Sequence, residues 1–192
     1  MNRKHHWLAI SLLALVGCSS TQHGQLATVP HVDLDRFMGD WYVIASIPTF
    51  LEKNAHNAVE TYRQAADGTI ATTFTFRDGS FEGEIKRYTP TGYIRDTNSN
   101  AVWGMQFVWP IKADYRIVYL DANYTLTVIG RNKRDYVWVM ARTPQISDSD
   151  YANVLRLIEG LGYDVSQLQK VPQRWEGAEH DTALQQPGEH GA

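Results

Sequence analysis

Between Asp40 and Arg142 apolar and polar residues alternate with a period of two, and turn-forming residues interrupt the alternation at short intervals. Asp40–Ile47 sets Trp41, Val43, Ala45 and Ile47 on one face and Tyr42, Ile44 and Ser46 on the other, as a strand exposing alternate side chains to opposite sides must. A long loop, Ile47–Asn57, holds Pro48. Ala58–Gln64 reads as the second strand, and Ala66-Asp67-Gly68 turns it back. Thr69–Arg77 is the clearest of the series, with Ile70, Phe74 and Phe76 opposed to Thr69, Ala71, Thr73 and Thr75, and Asp78-Gly79 is a strong hairpin signal. Ser80–Asp96 reads as one long strand broken at Pro90-Thr91-Gly92. Val102–Trp109 follows, with Trp103, Met105, Phe107 and Trp109 on one face. Pro110–Ala113 turns, and Tyr115–Leu120, Tyr124–Gly130 and Tyr136–Arg142 complete eight consecutive strands.

No segment among these strands is long enough for a helix crossover. The pattern therefore predicts an all-β fold, either an eight-stranded antiparallel up-and-down barrel or a sandwich. Closure into a barrel removes exposed edges, and eight strands leave room for side chains or one small ligand. The period changes to that of a helix only after the last strand. Ser147 is a good N-cap, and Tyr151, Val154, Leu155, Ile158 and Leu161 trace one apolar face that Val137, Val139 and Ala141 could receive outside the barrel. Asp33–Met38 predicts a short helical lid, and Tyr163–Val171 a final short strand.

The flanks differ in kind. Arg3 and Lys4 precede an apolar run, Trp7–Val16, that is too short to span a bilayer and reads as a secretory signal. Leu15-Val16-Gly17-Cys18 resembles the bacterial lipobox, which implies cleavage after residue 17 and lipidation of Cys18, the chain's one cysteine. Such acyl chains would anchor the protein to a membrane. The domain plan is then a signal peptide at 1–17, a lipidated cysteine and flexible tether at 18–32, a barrel with its helix at 33–171, and a mostly disordered tail at 172–192.

Composition excludes several classes. The 192 residues are 43% hydrophobic and 20% charged, as expected of one globular domain. Losing residues 1–17 removes two cations and no acid, taking the formal net charge from −3 to −5. That balance, with no basic helix, argues against a nucleic-acid partner. No G-x-S-x-G elbow is present, and no histidines have metal-ligand spacing. Only His56 lies near a predicted ligand-facing end. The expectation is a non-enzymatic protein with no catalytic residue, cofactor or metal.

In a meander of eight strands Gly39 and Trp41, the turn at Asp121–Asn123, and Arg142 converge on one end. Gly39-Asp40-Trp41, Leu120-Asp121-Ala122 and the terminal Arg142 together resemble the three motifs of the lipocalin family, and the lipobox points to its bacterial outer-membrane lipoprotein branch. The middle motif departs from the family's Thr-Asp-Tyr in keeping only Asp121. The resemblance selects the barrel over the sandwich. It implies that Gly39, Trp41, Asp121 and Arg142 close the base, with Arg142 packed across Trp41. It also implies an apolar interior that binds a small hydrophobic ligand, a fatty acid or (lyso)phospholipid, at the periplasmic face of the outer membrane, for transport, storage or scavenging.

The expected lining, on the face shared with Trp41, is Phe74, Phe76, Ile85, Trp103, Met105, Phe107, Tyr136, Trp138 and Met140. At the other end, the mouth, Lys53, Arg77, Lys112, Arg131, Lys133 and Arg134 outnumber Glu52, Asp78, Asp114 and Asp135, for +2. Of these, Arg131, Lys133 and Arg134 are the expected partners of an anionic head group. A structural lipoprotein with a filled barrel and a lipocalin-type enzyme are the competing functions, and homodimerisation is left open.

Overall fold

The computed structural model describes residues 24–175. The signal peptide, Cys18 and the end of the tail lie outside the described residues. The elements are α1 (Leu34–Phe37), β1 (Gly39–Ile47), β2 (Ala55–Gln64), β3 (Ile70–Asp78), β4 (Ile85–Tyr88), β5 (Thr91–Ile94), β6 (Val102–Val108), β7 (Ile111–Leu120), β8 (Leu126–Gly130), β9 (Val137–Ala141), α2 (Asp148–Gly160) and β10 (Gln169–Lys170). From β1 to β3 and from β5 to β9 each strand pairs antiparallel with the next, β4 and β5 both pair with β3, β9 returns to β1, and β10 adds to β1. β4 and β5 are thus two pieces of one stave, and the result is a closed eight-stranded barrel. Among the described residues no helix is long and apolar enough to cross a membrane.

Pro90 causes the break between β4 and β5, since it has no N–H to give a ladder. The break falls at the predicted position, but Ser80–Glu84 is turn and bend rather than strand. Three other boundaries differ from expectation. β7 begins at Ile111, so the connection from β6 is only Trp109-Pro110. β2 begins at Ala55, which shortens the loop before it. Tyr124 is not in a strand, because it adopts φ +62 in the turn before β8. In β1 a register shift between Val43 and Ala45 moves Ala45 and Ile47 to the outer face, although simple alternation places them beside Trp41.

Two apolar layers result. Inside the barrel Trp41, Val43, Tyr62, Phe74, Phe76 and Trp103 form one buried cluster. Outside it, α2 sets Val154 and Ile158 on Ile44, Val128, Val137, Val139 and Ala141, as the helical period predicts, with Leu157 at this seam in place of the expected Leu155. Ser147 caps α2 by accepting from the Asp150 backbone N–H at 3.0 Å.

The flanking segments are more ordered than their polarity suggests. Residues 24–32, expected in the tether, lie along the barrel because Leu26 and Val32 are buried and Val29 N–H donates to Ile117 O at 3.0 Å. Pro172–Trp175, expected in the tail, fills a space between β1 and β2. Val171 N–H donates to Ile44 O, Asn57 N–H to Pro172 O, and the Gln173 amide to Val43 O and Ala58 O.

Phe37, Trp41 and Arg142 meet at the base. Phe37, fully buried at the end of α1, packs 5.1 Å from Trp41, whose Nε1 donates to Phe37 O at 2.8 Å. The Arg142 guanidinium lies 3.8 Å over the Trp41 ring. It donates to the carbonyls of Arg36, Phe37, Met38, Asp40 and Tyr124 at 2.7–3.3 Å. A planar fork of donors suits this position, because α1 ends there with carbonyls that have no helical partner. Gly39 turns the chain at φ +93, a conformation that costs other residues strain. Asp121 accepts from the N–H groups of Asn123, Thr125 and Leu126 at 2.6–3.1 Å. Burial acts to raise its pKa, but these donors win and hold it below the usual carboxylate value.

Candidate functional site

Above the base the strands splay around a cavity of about 650 Å³. Its walls come from β2, β3, β4, β6, β7, β8 and β9, with Arg87 and Tyr88 from β4 and Ile129 from β8, and from the loop after β1, which supplies Phe50, Leu51 and Glu52. Of the expected lining, Phe74, Met105, Phe107, Tyr136, Trp138 and Met140 line it, and so does Arg131.

The other predicted site residues lie elsewhere. Trp103 belongs to the base, where it stacks 5.2 Å from Tyr115 and donates from Nε1 to Asn100 O at 2.7 Å. Alternation gave its face correctly but not its height in the barrel. Phe76 is fully buried between Phe74 and Tyr88 and does not reach the cavity. Ile85 starts β4 opposite Arg77, away from the cavity wall. Lys133 is exposed in the turn before β9. Arg134, at φ +55, ties Gly24 O, Asn132 O and Leu161 O together at 2.7–3.2 Å. Its charge therefore serves the attachment of neighbouring segments rather than the cavity.

The mouth cations are largely engaged. Arg131 pairs with Asp135 at 3.3 Å and sits 5.1 Å from the Tyr136 ring, and Lys112 lies 3.2 Å over the Tyr93 ring. Arg131 Nε is nonetheless buried with no hydrogen-bond partner among the described residues. Asp135 Oδ1, of the same ion pair, is likewise buried without a partner among the described residues.

Two carboxylates inside the cavity were not anticipated as site residues. Glu52 turns inward from its loop, accepting from Thr49 N–H at 3.0 Å and Trp138 Nε1 at 3.1 Å. Glu60 projects from β2, and below it the Tyr62 and Tyr115 hydroxyls meet at 2.6 Å. Burial, then the nearby Glu52 charge, push the Glu60 carboxyl up to about 8, against a smaller opposing effect of its hydrogen bond with Tyr62. Burial also raises Glu52, partly offset by its donors. At neutral pH Glu60 therefore keeps its proton for most of the time. The signal for Glu60 was available in the chain, since Ala58, Glu60 and Tyr62 share a face of β2; Glu52 looked like one more loop acid.

His56, the one histidine near the mouth, bonds through Nδ1 with Asn54 O at 3.0 Å and packs edge-on to Phe81. Among the described residues no group of three or more His, Cys, Asp or Glu side chains is arranged to hold a metal.

A barrel tied at one end by an arginine over a tryptophan and open at the other defines a class, and comparison with known proteins agrees. Residues 32–173 match the model of the lipocalin-like domain, and the chain belongs to that family. It is 30% identical over 175 residues to temperature-induced lipocalin-1 of Arabidopsis thaliana, spanning 85% of this chain and 91% of that one. It is 27% identical over 166 residues to the outer membrane lipoprotein Blc of Escherichia coli (strain K12), spanning 86% and 93%. Among solved structures, insecticyanin from the tobacco hornworm Manduca sexta superposes with a TM-score of 0.62 at 14% identity, covering 81% of this chain and 87% of that one. The cockroach allergen Per a 4 gives 0.60 at 16%, covering 80% and 96%. These two likenesses speak for the fold.

Proposed function

We propose that this lipocalin is a lipid-anchored carrier of the bacterial envelope, held by Cys18 at the periplasmic face of the outer membrane. It takes the acyl chain of a fatty acid or (lyso)phospholipid into its barrel, for transport, storage or scavenging, and is not an enzyme. The observation that carries this reading is the cavity itself, apolar along most of its wall and of a size suited to one chain-like ligand. Phe74, Met105, Tyr136, Trp138 and Met140 give the chain its contacts, and the Arg131 side chain on the wall brings a positive charge to an anionic head group. The lipobox at Leu15–Cys18 and the similarity to outer membrane lipoproteins support the location.

Titration with a fluorescent fatty acid tests the binding. Saturable, one-site quenching of tryptophan is expected, with Trp138 on the cavity wall the main reporter. No saturable binding would leave a filled-barrel structural role. Mass spectrometry of what co-purifies with the unlipidated chain should find single-chain or two-chain lipids. Neutralising Arg131 and Lys133 together should weaken lysophospholipid binding more than that of a neutral alkyl alcohol, and equal losses would remove the head-group contact.

A further inference from the structure

The rim of the mouth carries large apolar side chains that nothing among the described residues covers. Phe50, in the loop after β1, is 79% exposed. On the β6–β7 hairpin Trp109 is 82% and Ile111 69% exposed, with Phe107 and Val108 beside them. Single exposed hydrophobics are ordinary, but a cluster of this kind at one end of a barrel marks a surface built to meet something apolar. Phe50, Phe107 and Val108 also line the cavity, so the apolar surface runs without interruption from the outside of the rim to the ligand chamber.

Two further observations identify the occupant. The first is where the described chain begins. Gly24 O accepts from Arg134 at 2.8 Å and Leu26 N–H donates to Asn132 Oδ1 at 2.8 Å, and both partners lie in the mouth-side turn between β8 and β9. From there the segment descends to the base, where Val32 N–H donates to Ser99 O. The chain therefore reaches the barrel at its mouth, with only residues 19–23 between Gly24 and Cys18, a reach of about 20 Å when fully extended. The second is charge, since exposed Lys53, Lys112 and Lys133 lie in the segments that carry Phe50, Trp109 and Ile111 or in the β8–β9 turn, where anionic lipid head groups would meet them, while the exposed acids Asp78, Glu82 and Glu84 are confined to the β3–β4 turn. A tryptophan at a hairpin tip, with Lys112 three residues on, is suited to the boundary between head groups and acyl chains.

We infer that the mouth rim is a membrane-docking surface, through which the barrel sits open end down on a phospholipid bilayer and exchanges its ligand with that bilayer directly. The role of the exchange rests on the carrier reading above, and the orientation by the tether rests on lipidation of Cys18. Docking of the rim is carried by its exposed apolar side chains and the lysines beside them.

The test uses the chain from residue 18 onward with Cys18→Ser, which cannot be lipidated, and vesicles of phosphatidylethanolamine and phosphatidylglycerol. Co-flotation with the vesicles is expected, together with quenching of tryptophan fluorescence by lipids brominated on the acyl chain. The double variant Trp109→Ser, Ile111→Ser should bind vesicles at least tenfold more weakly and lose the quenching. Neither residue lines the cavity, so its affinity for a fluorescent fatty acid in solution should stay that of the parent. A parent chain that does not float, or a variant that floats equally well, overturns the inference. So does a parent that runs as a dimer, fails to bind vesicles and becomes monomeric in the variant, because the rim would then be an interface between copies. Normal vesicle binding without any fatty-acid binding would overturn the carrier reading instead.

Discussion

The two ends of this barrel are built from similar residues put to opposite uses. Both hold aromatic rings, arginines and a loop folded across the opening. At the base each polar group has a partner inside the protein: Arg142 meets carbonyls of α1 and the turn before β8, Trp41 donates to Phe37 O, and Asp121 accepts from three backbone N–H groups. At the mouth, groups are left unfinished. Arg131 Nε and Asp135 Oδ1 have no partner among the described residues, the Glu52 charge helps to keep Glu60 protonated, and Trp109 faces outward. The base shows what satisfied polar groups do for stability, and the mouth shows what unsatisfied ones leave available for a ligand.

The sharpest way to break this contrast is to remove its strongest member. Arg142→Ala should cost about 3 kcal/mol in urea unfolding, from lost hydrogen bonds to buried carbonyls and the lost ring contact. Lys133→Ala at the mouth should stay within about 0.5 kcal/mol, and equal losses would end the comparison. Next in size is Glu60→Gln. Because the folded chain keeps its proton up to about 8 whereas the unfolded chain releases it near 4.5, wild-type stability should fall as pH rises through that window and level off above it. The glutamine variant should be about 2 kcal/mol more stable at pH 7 and lose that slope; an unchanged pH profile would show that Glu60 is not buried as a neutral acid. Smaller still, Tyr136→Ala should weaken fatty-acid binding about tenfold while changing stability by less than about 1 kcal/mol, which separates the mouth from the fold. At the base, Gly39→Ala should have a far smaller effect than Arg142→Ala. Its positive φ should cost about 1 kcal/mol, and its added Cβ meets only Arg142 Nη1 at 3.5 Å, an ordinary contact.

How much of this could be read from the chain follows the same division. Period-two alternation gave the strands, and the Ser147 cap with its apolar stripe gave α2, because each is decided by neighbours close in sequence. The base was legible because Gly39, Trp41, Asp121 and Arg142 form a recognisable set. Alternation tells inside from outside but not height, so Trp103 was assigned to the ligand cavity although Asn100 O and the stacked Tyr115 hold it at the base. It also fails at bulges, which is why Ala45 and Ile47 changed faces. Charges were the least legible. Arg134 and Glu52 look like loop residues until long-range contacts to Gly24 O and Trp138 make one a clamp and the other a wall.

The segment that lies between β1 and β2 gives the barrel wall a replaceable panel. β1 and β2 pair directly only from Gly39 to Tyr42; beyond that, β1 pairs with β10 through Ala45 and Ser46, and residues 171–174 bridge across to Asn57 and Ala58. The upper half of this seam is therefore sealed by residues from the far end of the chain, after the helix. A chain ended at Leu168 would keep its eight staves, its helix and its locked base, yet it would open a vertical slit beside the ligand chamber. The unsealed side of β1 would then offer its Ile44 carbonyl and neighbouring groups as a free sheet edge, available to a second copy of the chain.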